Sequence, residues 1–523
     1  MKFGGCKGMT VGTVLLATLG PAAPALADFE IRDERVDQTV PAHDGGAWLA
    51  KHESTLYGTQ SITRACIGRI HANGAKVYYQ CFGQGVPSSP THGDSINHAQ
   101  IRQMAAVDGG VLVTATLGWQ STNGACNCRT ALLRVDDDGS MRWSLSLHPA
   151  GSGYLQPTAL AHRLGDWSAY LATVIAEPSA TPWDLRSVRA HSVVSRLDVQ
   201  NGQLVDSLRL ERKEVWWPAS PSFPEFSSQM LFQVHALSVD AHGDVIAAGS
   251  NYFHLSDPWM GYFDPHGVSA YGFAVRFDPD QRWVRQAWRA RYQSTVGGPY
   301  RRDLAIGKLA PAEDGTLATL MVSTEAGDPL GPQLDLAMVN GDGNLAWRRT
   351  LQREPSQERQ VDDIVRVGTG GVVASISRTN RPGYGGPYVS TGASLEGYDA
   401  SGNLYARIES TLPQDAYTLN RTYHSGLNLS HDGSGDLVIG SSWMGAGRQA
   451  HDEVRARSAT LKHFSCSWTR PGLGWPELGP AQWGTPVFRN FQPQLVKGGW
   501  VLAAPLQVPV LRHIRLTSQR ACP

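Results

Sequence analysis

Two segments in the middle of the chain concentrate the side chains that could recognise a ligand. Glu214–Phe226 contains two adjacent tryptophans, and Tyr252–His266 mixes aromatic rings with carboxylates and histidines. Flat aromatic faces stack on sugar rings or peptide segments, and nearby polar groups fix the orientation of the ligand. The residues expected to bind a ligand are Trp216, Trp217, His254, Asp257, Trp259, Tyr262 and Phe263. The alternative is that these aromatic rings pack on one another and hold the two segments in place.

Carboxylates in the same segments could support general acid–base chemistry. The candidates are Glu214, Glu225, Asp257 and Asp264. Hydrolysis of a glycan needs two carboxyl groups at a defined separation, which spacing along the chain does not provide. No catalytic residue is therefore assigned.

Metal and cofactor signatures are absent from the sequence. His254 and His266 lack the helical or cysteine-partnered spacing of a zinc site. The acidic stretch Asp136–Gly139 is too compressed for a calcium loop, which needs alternating oxygen ligands. The sequence therefore predicts no metal site and no cofactor.

A repeated pair of strands must position the two aromatic segments. Leu132–Leu147 alternates apolar and polar residues on both sides of Asp138–Gly139, which is the pattern of a β-hairpin with a tight turn. A Gly-rich turn and an apolar strand precede the hairpin, as at Asp108–Gly110 and Val111–Thr114. Similar hairpins return at Ile67–Tyr78, Val193–Leu210, Phe273–Trp283, Leu336–Trp347 and Ser394–Tyr405.

About eight such units follow one another, each long enough for a four-stranded blade. We therefore expect an all-β fold, with residues 28–523 forming a single eight-bladed β-propeller of four-stranded antiparallel blades. Seven blades are the alternative, because the units near Gly165 and Ser458–Trp468 are weak. The last unit, from Gln492, lacks an outer strand, and Phe29–Val36 is expected to supply it and close the ring.

The connections between strands differ in length in a regular way. Links between the first and second strands and between the third and fourth strands are tight turns, so they share one face of an antiparallel blade. Long links then share the opposite face, which we expect to be functional. The long segments are Ala176–Ser192, Glu214–Leu231, Ser250–Tyr271, Arg378–Thr391, Ser442–Arg457 and Thr469–Arg489.

The order of Gly-rich turn, apolar strand and hairpin ending in tryptophan resembles the repeats of PQQ-like, quinoprotein-type propellers. The resemblance covers most of the chain and implies eight blades whose tryptophans dock neighbouring blades. It also implies PQQ with calcium as the cofactor if the protein is an oxidoreductase. Asp206 and Ala406 replace the tryptophan in two repeats, and Cys126-Asn127-Cys128 differs from the adjacent cysteines of quinoprotein dehydrogenases. No cofactor ligand transfers position by position.

The N-terminus and the overall composition indicate an exported protein. Residues 1–27 have a basic start, a short apolar run at Val11–Gly20 and a small-residue cleavage site at Ala25–Ala27, as in a signal peptide. The mature chain is expected in the periplasm or outside the cell. Lys+Arg and Asp+Glu are equal at 46 each, which gives no basic surface for nucleic acid. No later segment is a candidate membrane span, and we expect a monomer.

Six cysteines remain after the predicted cleavage, and an even number in an exported chain suggests disulfides. Cys66 and Cys81 lie opposite each other if Asn73–Gly74 is a hairpin turn, so this pair is predicted to be bonded. Cys466–Cys522 and Cys126–Cys128 are then the remaining pairs. The alternative is a set of free buried thiols.

These features favour an exported binding or scaffold protein that holds a glycan or a protein partner on its long-link face. A PQQ-dependent, quinoprotein-like oxidoreductase is the alternative. A glycan hydrolase or lyase is a third hypothesis. Fold analogy alone does not choose among them.

Overall fold

A computed structural model describes most of the chain between Phe29 and Ala521. The residues outside the description are 1–28, 32–37, 43–45, 58–59, 71–75, 83–97, 121–125, 177–189, 218–225, 256–270, 293–301, 313, 326–329, 331, 355–356, 368–370, 381–388, 411–422, 432–435, 446–447, 458–467, 470–477, 480–483, 509, 514–518 and 522–523.

The described residues form 35 β-strands and no helix, which confirms the all-β prediction. After β1 (Phe29–Ile31), the chain builds antiparallel meanders that we call blades one to seven. Blade one contains β2 (Gln38–Pro41), β3 (Ala47–Tyr57), β4 (Gln60–Ile70) and β5 (Lys76–Phe82). Blade two contains β6 (His98–Val107), β7 (Gly110–Gln120), β8 (Cys126–Asp136) and β9 (Met141–Pro149).

The next blades repeat this order. Blade three contains β10 (Tyr154–His162), β11 (Ser168–Ala176), β12 (Ala190–Asp198) and β13 (Leu204–Trp217). Blade four contains β14 (Phe226–Val239), β15 (Val245–Leu255), β16 (Tyr271–Asp278) and β17 (Trp283–Arg291). Blade five contains β18 (Arg302–Pro311), β19 (Leu317–Glu325), β20 (Gln333–Val339) and β21 (Leu345–Leu351).

The last two blades complete the series. Blade six contains β22 (Gln357–Val367), β23 (Gly371–Asn380), β24 (Val389–Tyr398) and β25 (Leu404–Ser410). Blade seven contains β26 (Tyr423–His431), β27 (Asp436–Gly445) and β28 (Arg448–Arg457).

The first strands of the blades lie side by side around the inside of a propeller-like ring. Each first strand lies next to the first strand of the following blade, and β26 of blade seven lies next to β2 of blade one. The part of the chain that the structure describes therefore contains seven blades, which was the alternative count. An eighth blade is not confirmed, because the residues expected to form it belong to a different structure.

That structure is a C-terminal belt, which we define as residues 468–521. Each of its short strands adds one edge strand to a blade, and the belt visits the blades in reverse order. Its strands are β29 (Trp468–Thr469) on β25, β30 (Leu478–Gly479) on β21, β31 (Val487–Asn490) on β17, β32 (Gln494–Lys497) on β13, β33 (Val501–Pro505) on β9, β34 (Val510–His513) on β5 and β35 (Gln519–Ala521) on β1.

The belt corrects two expectations. Thr469–Arg489 is not a long link between blades, and the apolar runs after Gln492 are edge strands of blades three, two and one. The N-terminal strand β1 lies beside β28, so its place is on blade seven rather than on an eighth blade.

The hydrophobic core is divided among the interfaces between blades. In one such cluster, Leu112 and Leu132 of blade two lie together with Leu171 and Val193 of blade three, all fully buried. β20 is buried along its whole length, which explains why its sequence is almost continuously apolar.

Tryptophans at the start of fourth strands dock on the turn glycine of the next blade. Trp143 packs on Gly202, and Trp347 packs on Gly402; both glycines have positive φ, +74° and +78°. A Cβ at Gly402 would lie 2.8 Å from Cδ2 of Trp347, so only glycine fits there. Trp283 does not dock and is 65% exposed, although blade five has the turn glycine Gly343; Trp288 contacts that glycine instead.

Cys66 and Cys81 are opposed across β4 and β5 and form a disulfide, as predicted. The side chains of Cys126 and Cys128 lie outside the described part of the structure, as do Cys466 and Cys522. Among the described residues, no helix has the length and hydropathy needed to cross a membrane.

Candidate functional site

The two ends of the ring differ. Because neighbouring strands are antiparallel, the links between first and second strands and between third and fourth strands emerge at one end, which we call the turn end. The other links emerge at the opposite end, the long-link end, where 177–189, 218–225, 256–270 and 381–388 connect the strands. This division agrees with the prediction. Ser442–Arg457 is an exception, because it is largely β27 and β28, joined through residues 446–447 only.

Turns at the turn end are braced by aspartate side chains. In blade six, Oδ1 of Asp399 accepts hydrogen bonds from the backbone N–H groups of Ser401 and Asn403, at 2.9 and 2.8 Å. The backbone N–H of Asn403 is the main cause that holds the pKa of Asp399 below its ordinary value. Asp240 braces the first turn of blade four in the same way through His242 and Asp244. These local networks favour one conformation, so the turn end is a rigid base.

At the long-link end, strands of blades three and four continue beyond their blades and pair with each other. Trp217 of β13 lies opposite Phe226 of β14, and His254 of β15 lies opposite Gln229 on the other side of β14. We call Arg212–Trp217, Phe226–Leu231 and Tyr252–Leu255 the three-stranded extension. Neighbouring strands lie about 4.8 Å apart, and His254 is displaced by three residues along β14 from the position opposite Trp217, so the two backbones are roughly 14 Å apart.

The extension brings part of the predicted site together. Trp216, Trp217 and His254 belong to its two outer strands, as expected from the proximity predicted for the two segments. Glu214–Trp217 is strand rather than link, which the sequence analysis missed. The side chains of these residues lie outside the described part, and so do all atoms of Asp257, Trp259, Tyr262 and Phe263. Whether the aromatic rings face a ligand or one another therefore stays a prediction.

A buried amide lies at the base of the extension. Asn251 of β15 is opposite Phe232 on one side and Tyr271 on the other, and it has no exposed surface. Neither its amide nitrogen nor its amide oxygen has a hydrogen-bond partner in the described part of the chain. Leaving buried polar atoms unpaired costs about 1–3 kcal/mol, so such a group normally has a partner.

Two arginines flank the aromatic ring of Tyr271, the first residue of β16. The guanidinium carbons of Arg289 and Arg291 lie 4.9 and 5.5 Å from the ring centre. Nη1 of Arg291 donates a hydrogen bond of 2.9 Å to the Tyr271 hydroxyl. This aromatic and cationic surface lies directly after the 256–270 link, and it could bind a hydroxyl or carboxylate group of a ligand.

A buried carboxylate lies at the same end of blade five. Asp335 is fully buried, and Oδ1 accepts a 2.6 Å hydrogen bond from Thr350. Its Oδ2 accepts hydrogen bonds from the hydroxyl of Tyr292 and the amide of Gln333. Nη1 of Arg348 lies 3.8 Å from Oδ2 and donates to the carbonyl oxygen of Gly484 in the belt.

Burial raises the pKa of Asp335 to about 6, against the opposing effects of Thr350 and Arg348. Its hydrogen-bond donors Thr350, Tyr292 and Gln333 belong to the fold, and its ion-pair partner Arg348 is tied to the belt. The cluster therefore fixes the belt on blade five rather than forming an open acid–base site.

Asn251, Tyr271 and Asp335 were not predicted from the sequence as site residues. Asn251 and Tyr271 lie near the two ends of the long segment Ser250–Tyr271. A polar residue where an apolar strand leads into a long link was the signal that could have identified Asn251. Asp335 carried a weaker signal, a carboxylate inside an apolar strand. Groups of three or more histidine, cysteine or acidic side chains that could hold a metal ion do not occur among the described residues.

Comparisons with known proteins identify no family. No family model and no curated protein matches the chain. A protein of unknown function from Dyadobacter fermentans is similar over 69% of this chain and 94% of its own, at 10% identity and a TM-score of 0.38.

Two other solved structures are similar at the same low level. The sialidase of Trypanosoma rangeli, in complex with the inhibitor DANA, is similar over 82% of this chain and 60% of its own, at 10% identity and a TM-score of 0.35. An ulvan lyase is similar over 68% of this chain and 92% of its own, at 8% identity and a TM-score of 0.31. All three scores lie below 0.5.

Proposed function

We propose that this is an exported binding protein that holds a glycan at the long-link end of the ring, on and around the three-stranded extension. The observation that carries the proposal is the pairing of β13, β14 and β15, which places Trp216, Trp217 and His254 in one small sheet. The same sheet is continuous with the 256–270 link, where the other predicted binding residues lie.

The groups at the base of the extension support a polar ligand. Tyr271 with Arg291 supplies a hydroxyl and a cationic group directly after the 256–270 link. A glycan offers hydroxyl groups for such partners and flat apolar faces for indole rings. The rigid turn end and the belt hold the blades that carry this surface.

Export and repeat type belong to the same proposal. The signal-peptide pattern of residues 1–27 supports secretion into the periplasm or the extracellular space. The docking of Trp143 on Gly202 and of Trp347 on Gly402 supports the resemblance to PQQ-like repeats as a type of blade. It supplies no reason to place a quinone in the protein.

A glycan array with the purified mature protein tests the binding site. Trp217→Ala and Trp259→Ala should each lower the signal for a bound glycan at least tenfold, because stacking surface is lost. Trp283→Ala is the matched control, since this tryptophan is 65% exposed at the turn end. Its signal should equal that of the unchanged protein.

Thermal unfolding separates binding from folding in the same variants. If Trp217→Ala or Trp259→Ala lowers the melting temperature strongly and binding only in proportion, the rings form a local core and the proposed site is wrong. If the unchanged protein binds no glycan on the array, the proposed function itself is wrong.

A further inference from the structure

The first strands of blades two to six share an irregularity at the same level of the ring. Each contains one extra residue relative to the strand it pairs with, which is a β-bulge. The extra residues are Arg102, Thr158, His235, Gly307 and Asp362. Bulges redirect neighbouring side chains, and because these strands are the innermost ones, the bulges surround the central channel.

Four blades place a glutamine at one position relative to the bulge, two residues before it. These residues are Gln100, Gln156, Gln233 and Gln360, and we call them the glutamine ring. Blade five has Ala305 at this position. The chain thus repeats an amide at a structural position that the blade fold itself leaves free, since alanine also fits.

Burial shows which way the glutamine side chains point. Gln156 and Gln360 are exposed, and Gln100 and Gln233 are partly exposed. The residue that follows each of them is buried, for example Val234 at 1% and Val361 at 3%. Alternate residues of a strand point to opposite sides, and the buried set packs between blades. Since no described strand lies inside the first strands, the glutamines face the central channel.

The ring is neutral and its amides are available. None of the four side-chain amides donates to or accepts from another described residue. The glutamine side chains themselves carry no charge; one ion pair joins two neighbouring first strands, with Nζ of Lys308 3.7 Å from Oδ1 of Asp363, and Arg102 adds a cationic group at the bulge after Gln100. Each carboxamide offers two N–H donors and one acceptor oxygen, a combination that suits hydroxyl groups.

We propose that the glutamine ring is a second binding site, located in the central channel, for a neutral polyhydroxylated ligand such as the end of an uncharged oligosaccharide. The site goes beyond the proposed function, because none of its residues belongs to the three-stranded extension. Hydroxyl groups on several sides of a sugar ring can bind amides from different blades at once, which a single surface cannot offer.

The test uses an array of neutral and acidic oligosaccharides and the full mature chain. The triple variant Gln100→Ala, Gln156→Ala and Gln360→Ala should lower the signal for neutral oligosaccharides at least tenfold. The single variants Gln156→Ala and Gln360→Ala should lower it two- to tenfold, and they change exposed residues only. The control is Gln203→Ala, an exposed glutamine at the turn end, whose signal should not change.

The outcomes separate this site from the one proposed above. If the triple variant folds and binds neutral oligosaccharides like the unchanged protein, while Trp217→Ala loses them, the channel site is wrong and the extension site stands. If the unchanged protein binds acidic oligosaccharides only, the channel site is also wrong. Loss of neutral binding in the single glutamine variants, at an unchanged melting temperature, supports it.

Discussion

Phe29 and Ala521 lie opposite each other in an antiparallel pair, so strands near the two ends of the chain meet on blade seven. β1 lies beside β28, and β35 adds to β1 from outside. The order β28, β1, β35 makes the contribution of the last strand depend on the first one.

Deleting Phe29–Ile31 should therefore destabilise the protein at least as much as deleting Gln519–Ala521. In the chain that already lacks Phe29–Ile31, deletion of β35 should have almost no further effect, because its partner is gone. Thermal midpoints of the two single deletions and the combined deletion measure this. Additive losses would show that β35 is held by something other than β1.

Three glycine-to-alanine variants separate backbone strain from docking. In Gly402→Ala the new Cβ would clash with Trp347, and the backbone would keep a φ of +78° that is unfavourable for alanine. This variant should lower the unfolding free energy by roughly 2–4 kcal/mol. Gly165→Ala has a φ of +88° with open space around it, and it should cost about 1 kcal/mol. Gly341→Ala has neither problem and is the control. Urea unfolding measures the unfolding free energy of the three variants. Equal losses of free energy at Gly402 and Gly165 would contradict the docking of Trp347 on Gly402.

Asp335 should make stability fall as the pH rises. Its pKa is about 6 in the folded protein, against an ordinary value of 3.8, so the folded state holds the proton more tightly. The unfolding free energy should be highest below about pH 4 and decrease by up to about 3 kcal/mol on reaching pH 6.

Asp335→Asn should remove this pH dependence. It is measured as the difference in unfolding free energy between the variant and the unchanged protein at each pH. Asp314→Asn is a control of opposite sign, because hydrogen bonds from Thr316 lower the pKa of Asp314. Ionised Asp314 stabilises the folded protein above the pKa that Asp314 has in the unfolded chain. This stabilisation is lost as the pH falls through the lower pKa of the folded state. Parallel pH profiles for Asp335→Asn and the unchanged protein would show that the folded carboxylate is not perturbed.

The Cys66–Cys81 disulfide closes a loop with a sequence separation of 15. Replacing both cysteines by alanine should lower the unfolding free energy by about 3 kcal/mol, mainly through greater freedom of the unfolded chain. Dithiothreitol should reproduce this loss in the unchanged protein and have no such effect in the double variant. A reductant effect of equal size in both proteins would implicate other cysteines.

The hairpins, the two unlike ends of the ring and the Cys66–Cys81 pairing could be predicted because each depends on local pattern. Alternation within Leu132–Leu147 defines both strands β8 and β9, and a turn glycine defines their connection. The belt could not be predicted in this way. Its strands are short, and the apolar runs around Trp500 and Val510 resemble blade strands as closely as edge strands.

The candidate site was predictable only in part. The proximity of Trp217 and His254 followed from blade order, but their pairing through β14 depends on two strands that extend beyond their blades. Bulges such as the one at His235 leave no local signature, because they are defined by the partner strand. The glutamine ring becomes visible only after these bulges align the first strands of the blades.

The belt also has a consequence for the timing of folding. Its strands are synthesised after the blades, and they pair with blades six to one in the reverse of the order in which those blades are made, so Leu511 lies opposite Cys81, which is far away along the chain. Contacts this distant in sequence form slowly, because a long loop must close first. Blades one to six can form while synthesis continues, but their outer edges stay unpaired until the belt has been made. The last step of folding should therefore be a slow pairing of the belt strands with the edges of the blades, and not the completion of a last blade.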